Sequence, residues 1–229
     1  MQKEEQEVAR LNQIAEEANE IKSRFLANMS YNIRIPLNNV VGFSQLLSTD
    51  SELSESEKLE YSTIIRENTT ELIQLVNDVL DLSRLEAQMM KFQIQDCEIR
   101  EMCNDLIYMA QMNSKEHIRI ELETDVESLW FKTDANRFNQ AVLSMLVYPV
   151  AQEAERDIKI QLNKEEEKGL LVFHITNSPL SDPAFASQKV FVRHRINQLL
   201  FEHFGGSYVV SPNSEDGYLI TFTISFRIE

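Results

Sequence analysis

From Glu55 to Met89 apolar residues return every seven positions, at Ile65, Leu72 and Val79, with Asn68, Leu75 and Leu82 as companion positions. A seven-residue repeat draws one stripe along a helix, and such a stripe is stable only against another helix. The spacing therefore predicts a helix over 55–89. The polar run Ser48–Ser56 before it reads as a loop, with Ser54 and Glu57 spaced as a capping box. Upstream, the helical pattern extends from Phe25 to Ser48, and Pro36 should kink or loosen it because proline lacks a backbone N–H. Lys3–Phe25 contains no glycine or proline, and Val8, Leu11, Ala15, Ala18 and Phe25 alternate at three and four, with Lys22 interrupting the stripe. This segment reads as an incoming helix, a coiled coil or a simple amphipathic one. Two long helices joined by a short loop form a hairpin. One hairpin cannot cover both stripes, whereas two of them make a four-helix bundle, so dimerisation is expected. A hairpin capped by the second half of its own chain is the alternative.

From Lys91 the period shortens. Phe92, Ile94 and Cys97 read as a strand, Arg100–Met112 as a helix, His117–Thr124 as an alternating strand and Leu129–Lys132 as another. Asp134 is placed to cap a helix with Phe138, Ala141, Val142, Met145 and Leu146 on one side. Strands at Ile158–Leu162 and Leu170–Thr176 follow. A helix over 188–204 is stopped by Gly205-Gly206, and strands at Ser207–Ser211 and Tyr218–Arg227 close the chain. The whole reads as α+β: a long helical hairpin forming a dimeric four-helix bundle, then a two-layer α/β sandwich with a mixed sheet. The divisions are 1–22 (incoming helix), 23–90 (hairpin) and 91–229 (sandwich).

With 43% hydrophobic and 26% charged residues the chain is globular rather than disordered. No apolar run is long enough to span a bilayer and no signal peptide opens the chain, so membrane attachment is expected only through segments upstream. The net charge of −15 repels a polyanion and argues against nucleic-acid binding. Cys97 and Cys103 have no companions at metal-ligand spacing. They read as two buried thiols in a reducing, cytoplasmic compartment, and no metal site is expected.

Four stretches carry a resemblance. KSRFLANMSYNIRIPLNNVVGFSQLL (22–47) resembles the phosphoacceptor box of bacterial sensor histidine kinases, where the run reads FLANMSHEIRTPLN. LIQLVNDVLDLSRLEA (72–87) resembles that family's second bundle helix, DANRFNQAVLSMLV (134–147) the start of its nucleotide box, and HFGGSYVVSPNSEDGYLITFTISF (203–226) the end of its ATPase domain. The resemblance implies a histidine kinase fold with its own chemistry removed. Tyr31 stands at the phosphorylated histidine, and a phenol is almost wholly un-ionised at neutral pH, so it needs a base to attack phosphorus. The family's neighbouring glutamate is Asn32, and the Thr or Asn used in dephosphorylating the partner is Ile35. At the nucleotide site the two asparagines that hold magnesium and phosphates correspond to Ser144 and Tyr148. The alanine that follows is Pro149, and the next basic position is Ala151. The adenine-recognising Asp-Thr-Gly aligns with Asn177-Ser178-Pro179, where an asparagine amide could still bond adenine. The glycine boxes are absent, since the chain's glycines are Gly42, Gly169, Gly205, Gly206 and Gly217. The second box reads Lys189–His194, expected to be a solvated helix face.

The other histidines, His117, His174, His194 and His203, read as structural, and Met102, Met109 and Met112 as core. The implied function is a two-component, histidine-kinase-like pseudokinase acting as a dimeric scaffold. Its partners would be a second copy or an active histidine kinase, with a response regulator docking near Ser30–Gln45. No cofactor is expected, and Tyr148 and Phe191 are expected to fill the vacated pocket. The alternatives are a divergent kinase that still takes Mg-ATP and phosphorylates Tyr31 or a partner, and a module holding another ligand in that pocket.

Overall fold

The computed structural model describes residues 30, 32–50, 52–113, 118–147, 156–181, 188–213 and 217–227. The incoming helix expected over 1–22 lies outside them. The chain divides into two compact units, Met1–Asn77 and Asp78–Glu229.

The first unit is the hairpin. Helix α1 occupies 32–49 and continues through Pro36, which forgoes one backbone bond but is itself buried. Helix α2 is Glu55–Glu86. The capping box forms as the spacing requires: Glu57 accepts from the Ser54 N–H at 2.8 Å, and the Glu57 N–H donates to Ser54 Oγ at 3.3 Å. Within this unit Asn39 Nδ2 donates to Asn68 Oδ1 at 3.0 Å, and the Phe43 and Tyr61 rings sit 5.1 Å apart. These contacts make α1 and the first part of α2 antiparallel neighbours. Asn68, in the middle of an apolar seam, is satisfied by Asn39 on one side and by the Ile64 carbonyl on the other. A stripe distinct from the expected seam stays open: Leu37, Val41, Ile73 and Val76 are each about half exposed.

The second unit starts inside α2. That helix stops at Glu86, short of the expected Met89, because Gln88 takes a left-handed φ of 54° and the Met89 and Met90 N–H groups both fold back to the Arg84 carbonyl. The first strand also starts later than expected. Phe92 stacks on His203 instead of entering a sheet, and β1 is Gln95–Glu98, antiparallel to β3, Trp130–Thr133. Helices α3 (Ile99–Asn113), α4 (Ala135–Leu146) and α5 (Gln188–His203) accompany a mixed five-stranded sheet. Its order is β2 (Ile118–Thr124), β4 (Arg156–Glu165), β5 (Leu170–Thr176), β7 (Gly217–Ser225) and β6 (Tyr208–Asn213). Among the described residues only β2 and β4 pair in parallel.

Asp134 caps α4 as expected, accepting from the Arg137 N–H at 3.0 Å. The helix then drives Phe138, Ala141, Val142, Met145 and Leu146 into the core. Phe138 is fully buried, with Phe131, Phe173, Phe201 and Phe222 around it, and Phe222 stacks on Phe173 and Phe201 at 4.5 and 4.3 Å. A void of about 10 Å³ beside Phe138, Phe173 and Phe222 is lined by apolar side chains and Cys103, with no polar partners to hold a water molecule. Both cysteines are free and buried, and desolvation pushes the Cys103 thiol up to about 12. Met102 lies in the core, but Met112 is 69% exposed, because it falls on the solvent side of α3. Among the described residues no helix is long and apolar enough to cross a membrane.

Candidate functional site

Tyr31, Tyr148 and Ala151 lie outside the described residues. Of the other phosphoacceptor-box positions, Asn32 is buried, and its Nδ2 has no hydrogen-bond partner among the described residues, whereas Ile35 is 46% exposed on α1. The remaining positions, Ser144, Asn177 and Pro179, belong to the second unit, and there the fold brings α4, the turn after β5 and α5 together.

Asn177 follows β5 directly and takes a left-handed φ of 57°, which reverses the chain into a 3-10 turn, Pro179–Ser181. Its amide nitrogen does not face inward: it donates to the Asp157 carbonyl at the start of β4, 3.0 Å away. The turn behind it is buried throughout, with Leu180 1% exposed. Ser178 fastens the turn to α4 by donating to the Met145 carbonyl at 2.5 Å while accepting from the Leu180 N–H at 3.2 Å. Pro179, with φ fixed and no N–H, suits a closed turn and offers no donor to an anion.

Ser144 is equally committed. Its hydroxyl donates to the Ala141 carbonyl one turn back at 2.6 Å and accepts from Asn197 Nδ2 of α5 at 3.1 Å. Asn197 is wholly buried and also bonds the Tyr208 hydroxyl, which meets His194 Nδ1 at 2.5 Å. The His194 ring hydrogen-bonds the Leu180 backbone in turn, returning the chain of contacts to the turn where it began. Burial lowers the His194 imidazole below its ordinary range, against the pull of that backbone bond, and burial raises the Tyr208 phenol. Burial thus favours the neutral ring, in which one nitrogen can accept and the other donate. The circuit Ser144–Asn197–Tyr208–His194–Leu180 satisfies its members from within.

Two expectations for α5 are corrected. Phe191 does not fill a pocket; it is 56% exposed. The segment Lys189–His194 is not a solvated face, since Val190, Val192 and Arg193 are buried and Arg193 is only 2% exposed. Arg193 pairs with Asp78 of α2, and its Nε is without a partner among the described residues. Beside this pair, Arg137 Nη1 of α4 donates to Asp81 at 3.0 Å and to Gln140 at 2.9 Å, and Gln140 Nε2 reaches the same Asp81 oxygen at 3.2 Å.

The sequence reading missed Asn197, Tyr208, His194 and the Arg193–Asp78 pair. Their signal was present: Val190, Arg193, Asn197, Leu200 and Phe204 follow helical spacing, so two polar residues occupy the apolar stripe of α5. Among the described residues no His, Cys, Asp and Glu cluster could hold a metal ion. Two concavities formed by described residues lie elsewhere, the core void and a shallow surface groove between Glu98, Asp105 and Glu127.

Comparison with known proteins gives one family model, the His Kinase A (phospho-acceptor) domain, matching residues 21–88. The sensory/regulatory protein RpfC of Xanthomonas campestris pv. campestris is 34% identical over 240 aligned positions, covering 93% of this chain and 32% of that protein. Hybrid signal transduction histidine kinase A of Dictyostelium discoideum is 35% identical over 134 residues, 58% of this chain and 6% of its own length. Among solved structures, the histidine kinase AdeS of Acinetobacter baumannii superposes with a TM-score of 0.63 at 15% identity, over 86% of this chain and 98% of that one, a likeness of fold. The chain thus spans a third or less of the length of these curated relatives.

Proposed function

We propose that this chain, which belongs to the sensor histidine kinase family of two-component signal transduction, is a catalytically inactive member that works as a dimeric signalling scaffold. The observation that carries this reading is the self-satisfied circuit where the nucleotide would sit. A bound magnesium nucleotide needs oxygen donors at the metal, open N–H groups at the phosphates and space for a purine. Here Ser144 is bonded to Ala141 and Asn197, Asn177 to Asp157, and the turn at Pro179 is closed and buried. These commitments of Ser144, Asn177 and Pro179 support a site that takes no nucleotide. At the acceptor end, the residue after Tyr31 in sequence is Asn32, which offers an amide in place of a carboxylate.

The scaffold reading draws further support from the half-exposed stripe on α1 and α2, which a second hairpin would cover. The occupant is a second copy or an active histidine kinase, with a response regulator docking on the flank of Ser30–Gln45. Placement in the cytoplasm accords with the buried free thiols. Titration calorimetry with Mg-ATP, alongside an intact histidine kinase as positive control, tests the central claim. No heat and no thermal shift at millimolar nucleotide is the expected result. Saturable binding would overturn the reading and make Tyr31 the next residue to assay for phosphate.

A further inference from the structure

The last turns of α2 carry acid where a buried helix face is ordinarily apolar. Asp78, Asp81, Leu82 and Leu85 are all buried, and offsets of three, four and seven put them on one face. Each carboxylate meets a guanidinium from a different helix of the sandwich: Asp78 meets Arg193 of α5, and Asp81 meets Arg137 of α4 at 3.0 Å. A third, exposed pair brings Arg195 of α5 to Glu86 at 3.8 Å. The segment that follows is also held. Phe92 stacks on His203 with centroids 3.8 Å apart and meets Phe204 edge-on, and the Gln93 N–H donates to Asp134 Oδ2 at 2.8 Å. The division between the two compact units accordingly falls between Asn77 and Asp78, inside a continuous helix, and not in the connecting segment 87–94.

A buried carboxylate–guanidinium pair resists opening, because either partner left alone is a desolvated charge. Asp78–Arg193 is such a pair, and Asp81–Arg137 beside it is part-buried; reaching two different helices, the two resist both sliding and rotation, which a purely apolar patch would permit. Arg193 lies in the segment Lys189–His194 that resembles the family's second glycine box, a stretch without glycine in this chain. We infer that the end of α2 is a fixed part of the α/β domain, locked to α4 and α5 by this two-carboxylate clamp, and that residues 87–94 do not act as a hinge. Movement of the hairpin then reaches the sandwich through unbroken helix across Asn77–Asp78. This goes beyond the scaffold reading and does not depend on it.

Hydrogen exchange read by mass spectrometry on the full chain tests it. In the unmodified protein, amides of 82–94 should exchange at least about a hundredfold more slowly than unstructured chain. Asp78→Asn leaves Arg193 buried without its counter-charge, and should speed exchange across 78–94 and 188–203 by about tenfold or more. Peptides from 55–70 and from β4 and β5 should be unchanged, which separates local release from general destabilisation. Should Asp78→Asn fail to fold, Asp81→Asn, which removes the more accessible half of the clamp, is read across 78–94 and across α4, which carries its partner Arg137. Exchange of 87–94 at unstructured rates in the unmodified chain, no effect on α5 in Asp78→Asn, or no effect on α4 in Asp81→Asn, would overturn the inference. Mg-ATP binding with an intact clamp would sink the scaffold reading and leave this one standing.

Discussion

Asn197 is the residue on which the site turns. It has no exposed surface and bonds both the Ser144 and Tyr208 hydroxyls, so Asn197→Ala takes one partner from each hydroxyl and opens a buried gap. The expected loss is about 2–3 kcal/mol in denaturant melts; a loss within error would mean that the circuit contributes nothing. His194 adds a pH dependence whose sign follows from its burial. Its folded-state pKa lies below the unfolded value, so the unfolded chain takes up the proton more readily. Its stabilising contribution is full above the ordinary histidine range and falls as pH drops through that range, and the lowered His203 acts in the same direction. Melting temperature should therefore decline between pH 7.5 and 5.5, and His194→Asn should flatten that decline; an unchanged slope would remove His194 from the account. At this scale the sequence was half legible. The candidate positions are readable against the resemblance, because each is a matter of residue type. The sequence did not show how the vacancy is closed, because a circuit running from Ser144 to Tyr208 depends on tertiary proximity that spacing along the chain does not encode.

Among the elements, helices with strong caps and clear periods appear where the pattern put them: the Ser54 box, the Asp134 cap and the apolar face of α4 are all observed. Boundaries slipped where a distant partner outbid local preference. Phe92 has strand-forming character, yet it leaves the sheet for His203, and α2 gives up its last turn to the left-handed Gln88. The turn between α5 and β6 shows a tighter constraint. Gly205 takes a φ of 71°, and a Cβ on Gly206 would lie 1.9 Å from the Thr223 carbonyl oxygen, a backbone atom that cannot step aside. Gly206→Ala should thus cost at least about 2 kcal/mol or abolish soluble expression. A variant melting like the parent would mean that β7 has room to retreat at Thr223.

For the whole molecule, the exposed stripe on the hairpin makes association the central question. Leu37 and Ile73 are 46% and 58% exposed in the single chain, so a charge there disturbs the fold little and a bundle severely. Leu37→Glu and Ile73→Glu should each weaken self-association by about a hundredfold in sedimentation equilibrium while helicity by circular dichroism is retained. A parent chain that sediments as a monomer at tens of micromolar would point to another occupant for the stripe. The hairpin was legible in the sequence because the seven-residue repeat and the capping box are local patterns. The carboxylates at Asp78 and Asp81 were not, since they read as ordinary exposed acids until their partners are known. Those partners lie 115 and 56 residues further along, which has a consequence for synthesis on the ribosome. The hairpin can form as soon as it emerges, from contacts such as Asn39–Asn68 that close short loops. The final turns of α2 emerge early with their acids unmatched, and Arg193 becomes available only when α5 has been made. The nascent chain must therefore hold the end of one helix half finished while more than a hundred further residues are translated.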